Sequence, residues 1–354
     1  MPEAKTIIIL SPGFPADEAD TTCLPPKQQF VQHLHENFPG LNIIVLAFQY
    51  PFRNDTYTWK GITVISFNGR NRGKGSRLLL WYKVWRRLKA LNREHDIKGL
   101  FSFWYSECAL VGKYFSKRYK VPHFTWIPGQ DATKLNKYVR WLKPQAHELV
   151  ALSDFVADTF EQHHGVHPQQ VIPYGIDPRL YTPYAGERNI DVMGTGALIP
   201  LKQYDVFIDL IGIAKEKVPG IKAVICGKGP EERSLSSRIQ RLRLSGNITL
   251  MGETQYPEVL KLMQRSKVFL HTSSYEGLGM VCLEALYAGA HVISFCRPFK
   301  IQVPHWHIVS TKEEMLNKLF ELLDDPSLDH GPVIPFWMKE TAEKVMGLFD
   351  LVSE

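Results

Sequence analysis

The chain has 354 residues, room for two domains of ordinary size, and its 44% apolar and 22% charged residues are those of a globular protein. Its formal charge of +6, from 42 Lys+Arg against 36 Asp+Glu, suits anionic substrates or a membrane surface but does not demand nucleic acid. Five scattered cysteines with no Cys-x-x-Cys pair signal neither zinc nor a disulfide framework, and no apolar run is long enough to span a bilayer. The run Ile7 to Leu10 is also too short for a signal-peptide core, so a reducing cytosol is the expected compartment.

In chain order, Thr6 to Leu10 reads as a buried strand. The loop Ser11 to Pro15 follows, where Gly13 allows close approach of a ligand or makes a plain turn. Gln28 to Glu36 reads as a helix, and Asn42 to Ala47 and Ile62 to Phe67 as strands with Tyr50 to Arg53 as loop. The basic stretch Arg70 to Gly75 leads into a helix from Ser76 to about Glu94, with Leu78, Trp81, Trp85, Leu88 and Leu91 at helical spacing. It is read as an ordinary helix with a solvated basic face or as a peripheral contact with anionic membrane through 70–94. Gly99 to Phe103 and Pro122 to Ile127 are strands, with a cation-rich helix end from Lys113 to Lys120 between them. After the second strand, Asp131 in Pro128-Gly129-Gln130-Asp131 can cap a helix, bind a sugar hydroxyl or act as a base. Glu148 to Leu152 is a strand, and Ser153-Asp154 caps a helix through Phe160. His163, His164 and His167 at its end lack a carboxylate cluster and read as surface loop, so no metal site is expected.

A second strand–helix series opens after linker-like Tyr181 to Asn189. Ile190 to Gly194, Lys222 to Cys226, Asn247 to Met251, Lys267 to His271 and His291 to Phe295 are strands. Tyr256 to Ser266, Met280 to Ala288, Thr311 to Leu323 and Trp337 to Val352 are helices. The helix from Met280 is apolar almost all round, yet Glu284 sits in its middle. A buried carboxylate costs several kcal/mol unless charge or hydrogen-bond donors meet it. Gly277 and Gly279 precede this helix, with Glu276 on the same loop. Amides at a helix N-terminus attract phosphates, and a buried carboxylate can accept hydrogen bonds from a sugar diol. On these grounds alone, a glycine turn beside a glutamate paired with Lys or Arg stays open.

Glu276 and Glu284 flank seven residues in the run EGLGMVCLEALYAGAHVIS. This resembles the E-x7-E motif of retaining, family 4 glycosyltransferases of GT-B fold. The resemblance implies that Glu276 contacts the donor sugar and Glu284 the ribose hydroxyls. The backbone of Gly277, Leu278, Gly279, Met280 and Val281 would hold the sugar and diphosphate. Val171-Ile172-Pro173-Tyr174-Gly175-Ile176-Asp177 resembles the segment leading out of the family's first domain, and the loop from Gly196 to Lys202 resembles its phosphate loop. There Lys202 matches a diphosphate-clamping Lys, whereas Ala197 stands where the family has Arg. Gly227 lies in a stretch that resembles the family's turn shaping the nucleotide pocket, and Thr254 lies where the resemblance implies base contacts. No histidine ends the strand before Pro128, where many members carry one.

The expected fold is α/β GT-B: two Rossmann-like domains facing across a cleft, with a C-terminal helix packing back on the first. The expected divisions are an acceptor domain at 1–182, a nucleotide-sugar donor domain at 183–335 and the helix at 336–354. The expected function is a retaining glycosyltransferase moving a sugar from a nucleotide-diphosphate sugar to a glycan or lipid-linked acceptor, in envelope polysaccharide or glycoconjugate synthesis. It would act in the cytoplasm, at or near the inner membrane face. Lys202, Glu276 and Asp131 are the catalytic candidates. Gly13, Gly196, Gly227, Thr254, Gly277 to Val281 and Glu284 bind donor, with no cofactor beyond that co-substrate. No Asp-x-Asp triplet signals a metal clamp. The rival reading is a non-catalytic nucleotide-sugar binder on the same scaffold, which Ala197 favours; a phosphorylase or epimerase is a third.

Overall fold

Strand β1 (Lys5–Gly13) is shielded on both faces, Ile7 to Leu10 being 0% exposed, as a central parallel strand must be. The computed structural model describes residues 4–73 and 75–351. Lys74 in the basic stretch and Val352 at the expected end of the last helix lie outside them. The described chain forms two compact units. The first continues from β1 through α1 (Pro25–Asn37), β2 (Leu41–Tyr50), β3 (Asn54–Trp59), β4 (Ile62–Phe67), α2 (Gly75–Glu94), β5 (Asp96–Ser102) and α3 (Glu107–Tyr119). It goes on with β6 (His123–Ile127), α4 (Lys137–Leu142), β7 (Leu149–Ala151), α5 (Asp154–His164) and β8 (Gln170–Val171). Its strands lie in the order β3-β4-β2-β1-β5-β6-β7-β8, parallel except for β3 against β4.

The second unit holds β9 (Ile190–Thr195), α6 (Tyr204–Lys217), β10 (Ala223–Cys226), α7 (Glu232–Arg241), β11 (Ile248–Gly252) and α8 (Tyr256–Gln264). It ends with β12 (Ser266–His271), α9 (Met280–Tyr287), β13 (His291–Ser294), β14 (Trp306–Ile308) and α10 (Lys312–Asp324). All its strands are parallel, in the order β11-β10-β9-β12-β13-β14. Val192, Phe207, Ile211, Val268 and Leu319 belong to the core on one face of this sheet. The last helix, α11 (Met338–Gly347), returns to the first unit, as the GT-B expectation requires. There Thr341 Oγ1 donates to Pro173 O at 2.9 Å, and the Phe349 ring lies 5.0 Å from that of Phe124. Gly99 makes the space: a Cβ there would stand 2.1 Å from the Phe349 ring.

Several details differ from the sequence reading. The units divide between Tyr174 and Gly175, ahead of the expected 182. Residues near 181 are bonded into the second unit, Tyr181 Oη to Glu284 O at 3.2 Å and Thr182 O from Gln264 Nε2 at 2.7 Å. Strand β3 is an edge strand, polar and exposed except at Tyr57 and the buried Trp59, so its apolar signal is weak. Helices α6 and α7 lie where the reading names only the flanking strands. Along α2 the core-facing row is Leu80, Val84, Leu88 and Leu91, while Leu78 is 63% exposed. Trp85 instead packs beside Phe115 of α3, ring centroids 5.8 Å apart. His163 and His164 are not loop residues but end α5, bonded to the carbonyls of Ala132 and Thr133. Among the described residues, no helix is long and apolar enough to cross a membrane.

Because Phe349 fills a place that Gly99 keeps open, Phe349→Ala should destabilise the first unit by about 3–5 kcal/mol. Urea unfolding followed by tryptophan fluorescence measures this; an unchanged midpoint would mean that α11 is not part of that core.

Candidate active site

In an open parallel sheet, ligands bind beyond the carboxyl ends of the strands where the order reverses. In the second unit that place is β9, which has β10 on one side and β12 on the other. The loops leaving β9, β10 and β11 are tied by main-chain bonds, Gly196 N to Cys226 O at 3.0 Å and Gly227 N to Gly252 O at 2.8 Å. The approach is so close that a Cβ on Gly227 would lie 1.9 Å from Gly196 O. Gly227 thus permits the loops to meet.

Lys202 ends a short 3-10 turn, Pro200–Lys202, in the loop after β9. Thr272 Oγ1 donates to Lys202 O at 2.8 Å and Ser274 N to Leu201 O at 3.0 Å, locking this loop to the one after β12. The result brings Lys202 Nζ within 2.5 Å of Glu276 Oε2, and His271 Nε2 lies 3.5 Å from the same oxygen. Burial alone would push the Glu276 carboxyl up, but His271 and the Lys202 ammonium outweigh it and hold the group at about 2. Burial lowers the His271 pKa, against the opposing pull of Glu276. The ring Nδ1 is buried without a hydrogen-bond partner among the described residues.

Gly279, with φ +71°, turns the chain into α9. Cys282 and Leu283 donate back to Gly279 O, so the amides ahead of them belong to the open N-terminal turn. Cys282, Leu283, Ala285 and Leu286 are 0% exposed and Glu284 is 3% exposed. Glu284 accepts a hydrogen bond from Tyr256 Oη at 2.8 Å. Among the described residues no ion pair neutralises it. Burial lifts its pKa to about 7, with the Tyr256 hydrogen bond acting in the opposite direction. A carboxylate so placed has capacity left for hydroxyl donors. Thr254 is close by in sequence, on the loop between β11 and α8, its Oγ1 donating to Gly252 O at 3.2 Å. Ala197 is exposed and brings no charge, while Lys228, whose carbonyl accepts from Leu198 N, pairs with Glu253.

The family model for glycosyl transferases group 1 matches residues 186–328, and that for glycosyltransferase family 4 matches residues 28–180. The chain is a group 1, family 4 glycosyltransferase by family. Its relatives include GtfA, which is part of the UDP-N-acetylglucosamine–peptide N-acetylglucosaminyltransferase of Streptococcus parasanguinis, and one component of the human phosphatidylinositol N-acetylglucosaminyltransferase. Both are 29% identical, over 40% and 35% of this chain. The matches span only 28% and 26% of those proteins' own length. Among solved structures, HepE of Anabaena, in complex with UDP and glucose, aligns over 98% of this chain and 96% of its own with TM-score 0.68 and 17% identity. Sucrose-phosphate synthase of Thermosynechococcus elongatus aligns over 98% and 95% with TM-score 0.70 and 14% identity. The fold is GT-B.

The structure of this family 4 glycosyltransferase gathers Lys202 with Glu276 and Glu284 with Tyr256 around the loops at β9 and α9. His271 and Tyr256 are not among the residues singled out in the sequence. The signal for His271 is its position as the last residue of β12, just before the Ser-Ser-x-Glu loop. Gly13 and Asp131 belong to the first unit. Gly13 ends β1, and a Cβ there would meet Tyr50 Cβ at an ordinary 3.5 Å, so nothing about its backbone demands glycine. Asp131 lies within a 3-10 turn rather than capping it, and its carboxylate accepts from Tyr105 N at 2.8 Å and Gly129 N at 3.0 Å. Burial lifts its pKa to about 6 against those amides.

Glu284 has a folded pKa above its unfolded value, so its protonation favours folding at low pH, and that contribution is lost as pH rises from 4.5 through about 7. Glu284→Gln should therefore gain stability relative to the parent across that window, by about 3 kcal/mol, and level off above it. Denaturant melts at several pH values measure this; a constant difference would refute the buried, cation-free carboxylate.

Proposed function

We propose that this chain transfers a sugar from a nucleotide-diphosphate sugar to a hydroxyl of a glycan or lipid-linked acceptor, with retention of anomeric configuration. The observation that carries this reading is the Lys202–Glu276 pair at the loops beside the switch strand, with a second, cation-free carboxylate, Glu284, inside the adjoining helix. The donor diphosphate would lie on the amides of Gly277 to Val281, where helix N-terminus and phosphate charge attract. Lys202 would turn from Glu276 to the phosphate as the glycosidic bond breaks, stabilising the leaving charge. Glu276, released, would take a hydroxyl of the donor sugar. Glu284 would receive the ribose diol, and Thr254 with Gly196 and Gly227 would border the nucleotide. The departing phosphate would accept the acceptor's proton on the face it leaves. Gly13 and Asp131 would serve the acceptor-binding unit. UDP is the first nucleotide to test because HepE was solved with it, and N-acetylglucosamine the first sugar because both named relatives transfer it.

Ala197 supports one competing reading, a nucleotide-sugar binder without turnover, since the second cation of the diphosphate clamp is missing at that position. Assays of UDP release from UDP-sugars with a panel of glycan and lipid-linked acceptors separate the two. Turnover is expected, and Lys202→Ala should reduce kcat by about 10²- to 10³-fold. Tight UDP binding with no release across the panel would favour the binder.

We also propose peripheral contact with the cytoplasmic face of an anionic membrane through 70–94. Helix α2 exposes Leu78, Leu79 and Tyr82, each more than half accessible, among Arg77, Lys83 and Arg86. Such a surface combines apolar insertion with attraction to anionic lipid. The protein should sediment with phosphatidylglycerol vesicles at low salt and lose binding on Leu78→Asp/Leu79→Asp; equal sedimentation of parent and variant would end the proposal.

A further inference from the structure

The first unit holds a second polar cluster, of which the proposed function uses only Asp131. Its sheet order reverses at β1, which lies between β2 and β5. Helix α1 follows β1, Phe103 and Trp104 follow β5, and Asp131 follows β6. Lys27, in the first turn of α1, is 6% exposed. Its Nζ lies 3.9 Å from the centroid of the Trp104 ring, 4.9 Å from that of Tyr174 and 5.9 Å from that of Phe103. Among the described residues the amine takes no hydrogen bond. Tyr174 Oη is likewise buried without a partner. Trp104 is half-buried.

Burial and the helix end disfavour the charge on this amine. Burial strips its water, and it sits at the positive end of a helix with no acidic residue in the first turn. The compensation is the three aromatic faces and Asp131, whose oxygens are already engaged by Tyr105 N and Gly129 N. Burial accordingly brings the Lys27 pKa down to about 7, with Asp131 pulling in the opposite direction. A donor and a phenol left without acceptors beside an accessible indole are what a sugar ring satisfies: its C–H face packs on the ring and its hydroxyls take the polar atoms. An anionic ligand fits less well, because Asp131 shares the cluster and Lys27 is its one cation among the described residues close to it.

Resting on the glycosyltransferase reading, we propose that Lys27, Tyr174 and Trp104 form a subsite for one uncharged sugar ring of the acceptor. The ring packs against Trp104, and one of its hydroxyls bonds to the Lys27 amine and Tyr174 Oη. Lys27 is then a positioning residue for the acceptor. Its burial works against folding, so the subsite has a signature that a structural lysine lacks. Replacing Lys27 by Met should not lower the melting temperature, yet it should remove sugar binding.

The test uses the full chain and a panel of methyl glycosides, including those of glucose, mannose and N-acetylglucosamine, followed by saturation-transfer NMR with UDP binding by calorimetry as control. The parent should bind at least one glycoside. Lys27→Met should weaken it by about tenfold or more and Tyr174→Phe, which keeps the ring, by several-fold. UDP affinity should be unchanged in both. Glycoside binding that is the same in Lys27→Met and Tyr174→Phe as in the parent overturns the subsite, as does a parent that binds UDP but no glycoside. A parent that binds glycosides through Lys27 but no UDP upholds the subsite and removes the donor reading instead.

Discussion

A carboxylate buried among apolar side chains with only a phenol for company sets the terms for the second unit. Glu284 sits one turn inside α9, and Cys282, Leu283, Ala285 and Leu286 beside it are fully shielded. Among the described residues, Tyr256 alone donates a side-chain hydrogen bond to it. The fold tolerates this because the rest of α9 buries well and Gly279 lets the chain enter the helix at a sharp angle. The consequence is a carboxylate with hydrogen-bonding capacity to spare, which on the proposed reading a ligand with hydroxyls would take up.

The Lys202–Glu276 pair is the complementary case. Here both charges are satisfied, and the pair is built from the loops that follow two neighbouring strands, β9 and β12. A ligand phosphate competes for the ammonium, while a sugar hydroxyl competes for the carboxylate. On the proposed reading, each side chain would hold the other in place until the two halves of a sugar nucleotide arrive. His271, 3.5 Å from the same carboxylate oxygen, would remain a partner for Glu276 if Lys202 turned to a ligand. In this way the site would balance diphosphate charge with alanine at the arginine position.

Much of this was legible in the sequence because charge stands out against an apolar background. Glu284 breaks an otherwise greasy helix, and Glu276 and Lys202 sit on glycine- and proline-marked loops after strands, so position and chemistry agree. The second-unit strands were readable for the same reason, as apolar runs between polar turns. Partners that meet only through tertiary packing were not. Tyr256 opens a helix and His271 closes a strand, and neither has a local reason to be chosen. Lys27 follows two prolines and looks like any solvated lysine until three aromatic rings from distant segments close over it. The α2 stripe misled because its apolar residues form two rows, and only packing on the sheet and on α3 decides between them. Edge strand β3 left only Tyr57 and Trp59 as an apolar trace.

One unit is assembled from both ends of the chain while the other is continuous. Synthesis on the ribosome proceeds from the amino end, so residues 175–335 can finish folding before the unit that precedes them. Until α11 emerges, the groove over Gly99, Phe101 and Phe124 is open and greasy. The half-made protein is then most exposed to aggregation and to chaperone capture in its earlier-translated part, an inversion of the usual order in which domains mature.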